Sequence, residues 1–364
     1  MKAEVRFGVI GCGNVANNYY LPYIAEVAQL VVTCDKIIER AKRSAELWGA
    51  KKYYDDPDKV FSDPDIDAVV ITTSHASHAE LAIKAAEAEK HMIVQKPLAV
   101  NMKDLERVIS AVRKSGVKAV FEPSQPFFSP IMRKIKELIE KGTIGRPAIF
   151  ISYTGHSGPT WSDWFFKAED GGGVIYDLAV YGIADSVYLF GKPMSISATA
   201  SIFLEKRKIL RPEEHTRTIA PEYYKKQRPM YYHGMKPSIP VKVTAYDNSI
   251  ISLLYKEGLI SVIFGNYVTF TKLEMPTIQV YGQEGGIVLV NAWTGEIKVV
   301  RGEKEEVMKV GRPRPYYEES VDHLIECIRD DKEPLPYIEW GRTVTEIMIR
   351  AHEAVKKAIE LREL

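Results

Sequence analysis

Three short stretches hold the residue types that could do chemistry. In GGGVIYDLAVYGIAD, from Gly171 to Asp185, three glycines lead an apolar pattern in which Asp177 and Tyr181 stand four residues apart. On a helix that spacing sets a carboxylate and a phenol on one face. In VIGCGNVA, Gly11, Gly13 and Ala16 have the spacing G-x-G-x-x-G/A. The first glycine permits a tight turn, the second lets a pyrophosphate approach the backbone, and the small third residue lets the following helix pack closely. A phosphate there would meet the amides of a helix start, where the dipole favours an anion. A second apolar run, LVVTCD, ends in Asp35, about 20 residues on, where a carboxylate can accept from both hydroxyls of an adenosine ribose. Asp35 would repel a 2′-phosphate and so favours NAD, while Lys36 and Arg40 are near enough to soften that preference and leave NADP open. In MIVQKPLAVN, Gln95-Lys96-Pro97 ends a further apolar run. Ligands of open parallel sheets bind beyond the carboxyl ends of the strands, which is where Lys96 falls.

The elements that must position these residues change character partway along the chain. EVRFGVI, LVVTCD, AVVITT, HMIVQ and KAVFE read as strands, with helical patterns between them. Ser77 with Glu80 three residues on suggests a capping box, and Asn101 and Gly116 bracket a helix as cap and stop. Apolar strands alternating with helices imply a parallel sheet covered on both faces. After the proline-rich EPSQPFFSP, Ser129 and Pro130 open a helix that ends near Gly142. Beyond the Gly171 stretch, SISATASIF, VKVTAYD, SIISLLY, LISVIFGNY, TIQVYG, GIVLVN and EIKVVRG follow one another without long helices, as in an antiparallel or mixed sheet. Two helices close the chain, about Tyr317–Asp330 and Trp340–Leu361. The expected architecture is α/β: a nucleotide-binding domain over 1–123 with a doubly wound parallel sheet, then an α+β domain over 124–364 with a large, mostly antiparallel open sheet. The C-terminal helix is expected to pack back on the first domain.

The totals exclude several classes. With 49 Lys and Arg against 48 Asp and Glu, the net charge is +1, which argues against nucleic acid or an anionic membrane bound through bulk charge. No apolar run of the roughly 18–20 residues that span a bilayer is evident, and the first residues lack a signal-peptide pattern. The three cysteines form no CxxC and fit a reducing cytoplasm. The histidines have no metal-ligand spacing, so no catalytic metal is expected.

The chain resembles the glucose–fructose oxidoreductase, inositol dehydrogenase and rhizopine-catabolism (Gfo/Idh/MocA) family. The resemblance is carried in order by GVIGCGNVA, DIDAVVITTSHASHAELAIKAAEAEKHMIVQKPLAV, IMRKIKELIEKGTIGRP, GGGVIYDLAVYGIADSVYLFG and VYGQEGGIVLV. It implies a Rossmann domain and a second domain whose open sheet face mediates oligomerisation, here a homodimer or homotetramer. It also implies NAD(P)-dependent hydride transfer at a secondary carbinol or hemiacetal carbon of a sugar or polyol. The family's Glu-Lys-Pro becomes Gln95-Lys96-Pro97, keeping the lysine and losing a charge. Its Pro-Asn-x-x-His becomes Ser74-His75-Ala76-Ser77-His78, keeping the last histidine. Its aspartate four residues before a histidine becomes Asp177 before Tyr181, a variant known in the family. The next family aspartate falls on Ala184, with Asp185 one place late, and an arginine common before the second domain falls on Phe127. Together these imply cofactor contacts at Gly11, Gly13, Asn14, Val15, Asp35, Arg40, Thr73, Ser74, His75, His78, Gln95 and Lys96. Catalysis falls to Lys96, Asp177 and Tyr181. The phenol would exchange the hydroxyl proton while the nearby ammonium stabilises its phenolate. The glycines would let the backbone pass close to the nicotinamide and substrate.

Two weaker signals remain. TGHSGPTWSDWFF carries His156, Trp161, Asp163 and Trp164, as a substrate loop or as core aromatics with a cap; His156 and Trp164 join Lys96, Asp177 and Tyr181 as substrate-contact candidates. Between Glu205 and Lys236 nine Lys and Arg outnumber four acids, with Tyr223, Tyr224, Tyr231 and Tyr232 interleaved. That segment reads either as a solvated insertion or oligomer arm, or as a grip for an anionic substrate through Arg207, Arg211 and Arg217. The alternative to catalysis is a cofactor-binding regulator or sensor that kept the fold without the chemistry.

Overall fold

The computed structural model describes residues 4–221, 236–270, 277–291 and 295–357; Tyr223, Tyr224, Tyr231 and Tyr232 lie outside them. The first half folds as a six-stranded sheet: β1 (Arg6–Ile10), β2 (Gln29–Cys34), β3 (Lys52–Tyr54), β4 (Ala68–Ile71), β5 (His91–Val94) and β6 (Ala119–Phe121), in the order β3-β2-β1-β4-β5-β6. Every pairing is parallel. The order reverses between β1 and β4, the switch point where such sheets hold ligands. All four β4 residues are buried, as a strand covered on both faces requires. The edge strand β3 has no counterpart among the strands read from sequence. It is three residues of half-exposed Lys-Tyr-Tyr and carries no apolar run.

The second sheet has eight strands: β7 (Pro147–Gly155), β8 (Ser195–Ser201), β11 (Asn248–Leu254), β12 (Ile260–Asn266), β13 (Ile278–Gly282), β14 (Gly286–Asn291), β15 (Glu296–Arg301) and β16 (Lys304–Lys309). Their order is β16-β15-β14-β13-β7-β12-β11-β8. Only β7 and β12 pair in parallel; the other neighbours are antiparallel. A separate ribbon joins β9 (Lys206–Ile209) to β10 (Ile239–Lys242). VKVTAYD therefore starts in this ribbon and not in the large sheet.

Caps decide the helix starts. Asn101 accepts from the Asp104 amide at 2.9 Å and Gly116 closes the same helix in the left-handed region at φ 71°. Ser129 accepts from the Met132 amide at 3.3 Å to start Pro130–Glu140. The capping box expected at Ser77 does not form. His75–Ser77 is already a 3₁₀ turn, so Ser77 has helical backbone angles, and its hydroxyl turns to Thr73 Oγ1 and the Ser74 carbonyl. A cap needs extended backbone at that position.

The glycine run leads into a wide π turn, Ile175–Ala179, before the α-helix Val180–Phe190 begins. The segment Ala168–Phe190 is long and apolar enough to cross a bilayer by length and composition alone, which the sequence reading did not anticipate; 78% of its most apolar 18-residue stretch is buried inside the protein, as befits a core helix. At the C-terminus Tyr316–Asp330 sends Val321, Leu324 and Ile325 into a core shared with Phe7, Val9, Val70, Ile93 and Val120 of the first sheet. The last described helix is Ile338–Val355.

Candidate active site

The carboxyl ends of the first sheet and the glycine-led helix of the second unit enclose a cavity of about 1130 Å³. It is lined by Gly11, Gly13, Asn14, Val15, Asp35, Arg40, Thr73, Ser74, His75, His78, Gln95 and Lys96, and from across the cleft by His156, Trp164, Asp177 and Tyr181, but not by Arg207, Arg211 or Arg217. Trp161, Tyr19 and Tyr317 line it as well.

At the nucleotide end, Gly11 has φ 94°, and a Cβ there would sit 2.7 Å from the Thr72 carbonyl carbon; a Cβ at Gly13 would face open space. That is the cradle a pyrophosphate needs: one glycine for the turn, one for access. Asp35 accepts from the amides of Cys12 and Ile37, each at 2.9 Å, so its carboxylate is fixed at the end of β2. These residues fit a dinucleotide. Arg40 lines the cavity but is not free to meet one. Its Nε donates to Thr216 Oγ1 at 3.0 Å, on the short helix Pro212–Arg217 of the basic segment. Ile219 packs beside it against Leu47 and Trp48.

The reactive end is built around Lys96 at the end of β5. Its ammonium pairs with Asp177 Oδ1, donates to the Asp177 carbonyl at 2.8 Å, and lies 5.3 Å from the centre of the Tyr181 ring. Both partners come from the π turn and the first turn of the helix after it. Such turns recur at functional sites because they displace side chains from regular helical positions. Tyr267, directly after β12, donates to Asp177 Oδ2 at 2.6 Å. Burial works against the Lys96 ammonium, but Asp177 and Tyr181 together hold its pKa above the ordinary value. Burial likewise opposes ionisation of Asp177, yet Lys96, His75 and the Tyr267 hydroxyl bring it down to about 2. The pair is therefore ionised throughout the neutral range.

The nearby histidines are uncharged at neutral pH. Burial lowers His75 to about 3 and His78 to about 4, and it also lowers His156. His78 lies between the carbonyls of Pro97 (2.8 Å) and Thr73 (3.1 Å), bracing two loops. His75 Nδ1 donates to the Gly171 carbonyl at 2.7 Å, and its ring meets Trp164 at 4.6 Å between centroids. These contacts join the first unit to the second. His156 accepts from the Gly158 amide at 2.9 Å, which leaves its Nε2 as the protonated nitrogen. Gln95 donates to the Tyr20 hydroxyl at 2.8 Å, which donates to Glu122 at 3.0 Å. The amide is thus held in a buried chain that ends on a carboxylate.

Two expectations change, for the glycines and for Arg207, and the two positions where the chain departs from the family pattern serve the core. The glycines do not make room for nicotinamide: a Cβ on Gly172 would sit 2.3 Å from the Trp164 carbonyl oxygen, and one on Gly171 2.6 Å from Val100 Cγ1. They let protein pack on protein. Asp185 does not replace the missing family aspartate; it turns into the core, and burial pushes its carboxyl up to about 8. Phe127 packs edge-on to Tyr188 and Trp340, each at 5.1 Å, in place of an arginine's polar role. Arg207 is no anion grip: it donates to the carbonyls of Ser157 and Tyr267 and pairs with buried Asp247. Tyr267 and Glu122 were not singled out from sequence, although each ends a strand, where a polar tip after an apolar run is a usable signal.

Comparisons with known proteins agree with this geometry. Residues 5–122 match the family model of an oxidoreductase family with an NAD-binding Rossmann fold, and residues 132–288 match the GFO/IDH/MocA C-terminal domain. The chain is 24% identical to a myo-inositol 2-dehydrogenase of Thermotoga maritima, over 99% of both proteins. It is 30% identical to a scyllo-inositol 2-dehydrogenase (NAD(+)) of Bacillus subtilis, over 52% of this chain and 55% of that one. Among solved structures, a levoglucosan dehydrogenase in complex with NADH and L-sorbose superposes with a TM-score of 0.79 at 21% identity, covering 97% of each chain. With its two domains matched in order over 5–122 and 132–288, this chain is an NAD(P)-binding member of the Gfo/Idh/MocA oxidoreductase family.

Proposed function

We propose that this NAD(P)-dependent oxidoreductase transfers a hydride between nicotinamide and a secondary CH–OH or carbonyl carbon of an uncharged sugar or polyol. The carrying observation is the cluster of Lys96, Asp177 and Tyr181 inside the cavity. When bound, the nicotinamide supplies the hydride acceptor or donor. Tyr181 exchanges the hydroxyl proton, Lys96 holds the substrate oxygen, and Asp177, fixed by Tyr267, orients Lys96. An uncharged substrate is favoured by the two cations of this end that are already paired, Lys96 with Asp177 and Lys167 with Asp163. His156 and Trp164 supply a polar rim and an aromatic face. Residues 1–123 hold the cofactor and 124–364 the substrate. Three buried free thiols fit the reducing cytoplasm. Nicotinamide absorbance followed against a panel of sugars and polyols tests the reading. Cofactor binding without turnover on any of them would favour a sensor.

Asp35 sets the cofactor. A phosphate about 5 Å from a carboxylate meets roughly 3 kcal/mol of repulsion per charge at an effective dielectric near 20, and Arg40 is held by Thr216. Calorimetry should therefore give NAD(H) at least about tenfold tighter binding than NADP(H). Tighter NADP(H) binding would show that Lys36 or a released Arg40 outweighs the carboxylate.

The open face of the large sheet supports a homodimer or homotetramer. Leu254, Ile260, Ile149 and Tyr281 lie side by side across β11, β12, β7 and β13, and each is 39–43% exposed. A contiguous apolar row of this kind marks an interaction surface. Light scattering should give an oligomer, and Ile149→Lys with Ile260→Glu should reduce it to a monomer that still binds NAD. A monomeric parent chain would remove the proposal.

A further inference from the structure

A second phenol stands against Tyr181. The hydroxyl of Tyr316, the first residue of the helix Tyr316–Asp330, lies 3.4 Å from the Tyr181 hydroxyl, and either oxygen can donate. The helix is anchored in the core beneath the first sheet, so the position of Tyr316 is set by that packing. Its ring rests on Tyr317 at 3.9 Å between centroids, and Tyr317 stacks on Tyr19 at 4.3 Å. A ring held in such a stack keeps its hydroxyl in one place.

We propose that Tyr316 is a positioning residue for proton exchange, donating a hydrogen bond to the Tyr181 oxygen and stabilising its phenolate. This rests on the reading of Tyr181 as the proton carrier.

Every group facing Tyr181 bears on the argument. Lys96 comes from the end of β5, Asp177 from the preceding turn, Tyr267 from the end of β12, and Tyr316 and Tyr317 from the C-terminal helix. The single cation among them is held by the single anion, since Lys96 pairs with Asp177. Tyr267 is turned to Asp177. Lys96 also interacts with the Tyr181 hydroxyl, but its charge is shared with Asp177, and Tyr316 is a second donor within reach of a phenolate at Tyr181. Burial, reinforced by Tyr181, Tyr317, Glu122 and Tyr20, keeps Tyr316 itself protonated well beyond the ordinary phenol range. It can donate but not titrate in its partner's place. A hydrogen bond to the charged form of a group lowers the pKa of that group when it is an acid.

The test is a spectroscopic pH titration of tyrosinate absorbance in the full chain with NAD bound. It compares the parent, Tyr316→Phe, Tyr181→Phe and the double variant. Tyr316→Phe keeps the stacked ring. The Tyr181 midpoint, obtained from each difference between proteins with and without that hydroxyl, should rise by about one to two pH units without the Tyr316 donor. That is the shift expected for one charge-assisted hydrogen bond. The ascending limb of kcat/KM for oxidation, measured on whichever polyol of the panel reacts, should move to higher pH with it, because the phenolate is the form that accepts the hydroxyl proton. An unmoved midpoint in a Tyr316→Phe protein that binds NAD normally overturns the proposal and leaves Tyr181 as proton carrier intact. Near-normal turnover in Tyr181→Phe overturns the underlying reading instead.

Discussion

Replacing Lys96 by alanine should lower kcat by about 10²–10⁴-fold or more, the range of a general acid–base group and its electrostatic partner. The ammonium has two duties in this geometry. In the proposed mechanism it holds the substrate oxygen, and in the structure it neutralises Asp177, whose other oxygen accepts from Tyr267. Without it a carboxylate now held near pKa 2 is left buried and unpaired, a change that costs about 3–5 kcal/mol of stability. Lys96→Met, which keeps the buried stem, isolates the loss of charge from the loss of volume. The linkage has a definite sign. Asp177 has a depressed pKa, so its contribution is present above the unfolded value near 4 and lost as pH falls through about 2. Lys96 has a raised pKa, so its contribution is complete below about 10.4 and lost at higher pH. Thermal melts of the parent should therefore show a pair contribution that is flat between about pH 4 and 10, and Lys96→Met should lower stability across that whole window. A Lys96→Met protein with parent-like kcat would remove Lys96 from the mechanism.

Tyr181→Phe should reduce kcat by about 10²–10⁴-fold while NAD affinity stays nearly unchanged, because the ring remains and only the proton-carrying oxygen is lost. Tyr181→His should keep part of the activity and move the pH optimum down, since free imidazole titrates near 6.5. The drop should exceed that simple difference, because burial already lowers the neighbouring His75 and His156. The double variant Lys96→Ala with Tyr181→Phe should be little worse than the poorer single variant, as groups acting in one unit are not additive. Near-normal turnover in Tyr181→Phe would pass the role to Lys96. His156 is the weaker heir, since the Gly158 amide already occupies its lone-pair nitrogen.

Much of this was legible in the residues. The glycine spacing, the aspartate closing the second strand and the lysine closing a later one are local signals whose meaning depends only on strand ends facing one way. The second sheet was legible as a class but less so in detail. Its central strand β7 pairs in parallel with β12, more than a hundred residues later, and nothing local in PAIFISYTG announces a distant partner. Side-chain commitments were the least legible. Arg40, Arg207 and Gln95 have types suited to a ligand, yet Thr216, Asp247 and Tyr20 claim them, and those partners are 176, 40 and 75 residues away. Tyr316 escaped notice for the same reason, 135 residues from the phenol it meets.

The glycine run acquires a different meaning once its neighbours are known. Gly171 touches Val100 and His75 of the first unit, Gly172 the carbonyls of Trp164 and Phe165, and Gly173 the backbone of Tyr246. Gly171 is a spacer of the least possible thickness between two halves, one carrying Lys96 and the other Asp177 and Tyr181, while Gly172 and Gly173 let the second half close on itself. A single added methyl would act as a wedge, and its effect would appear at the lysine–aspartate contact, several residues from the substitution. The alignment of the two halves, and with it the assembly of a reactive centre that neither half possesses alone, depends here on the absence of side chains.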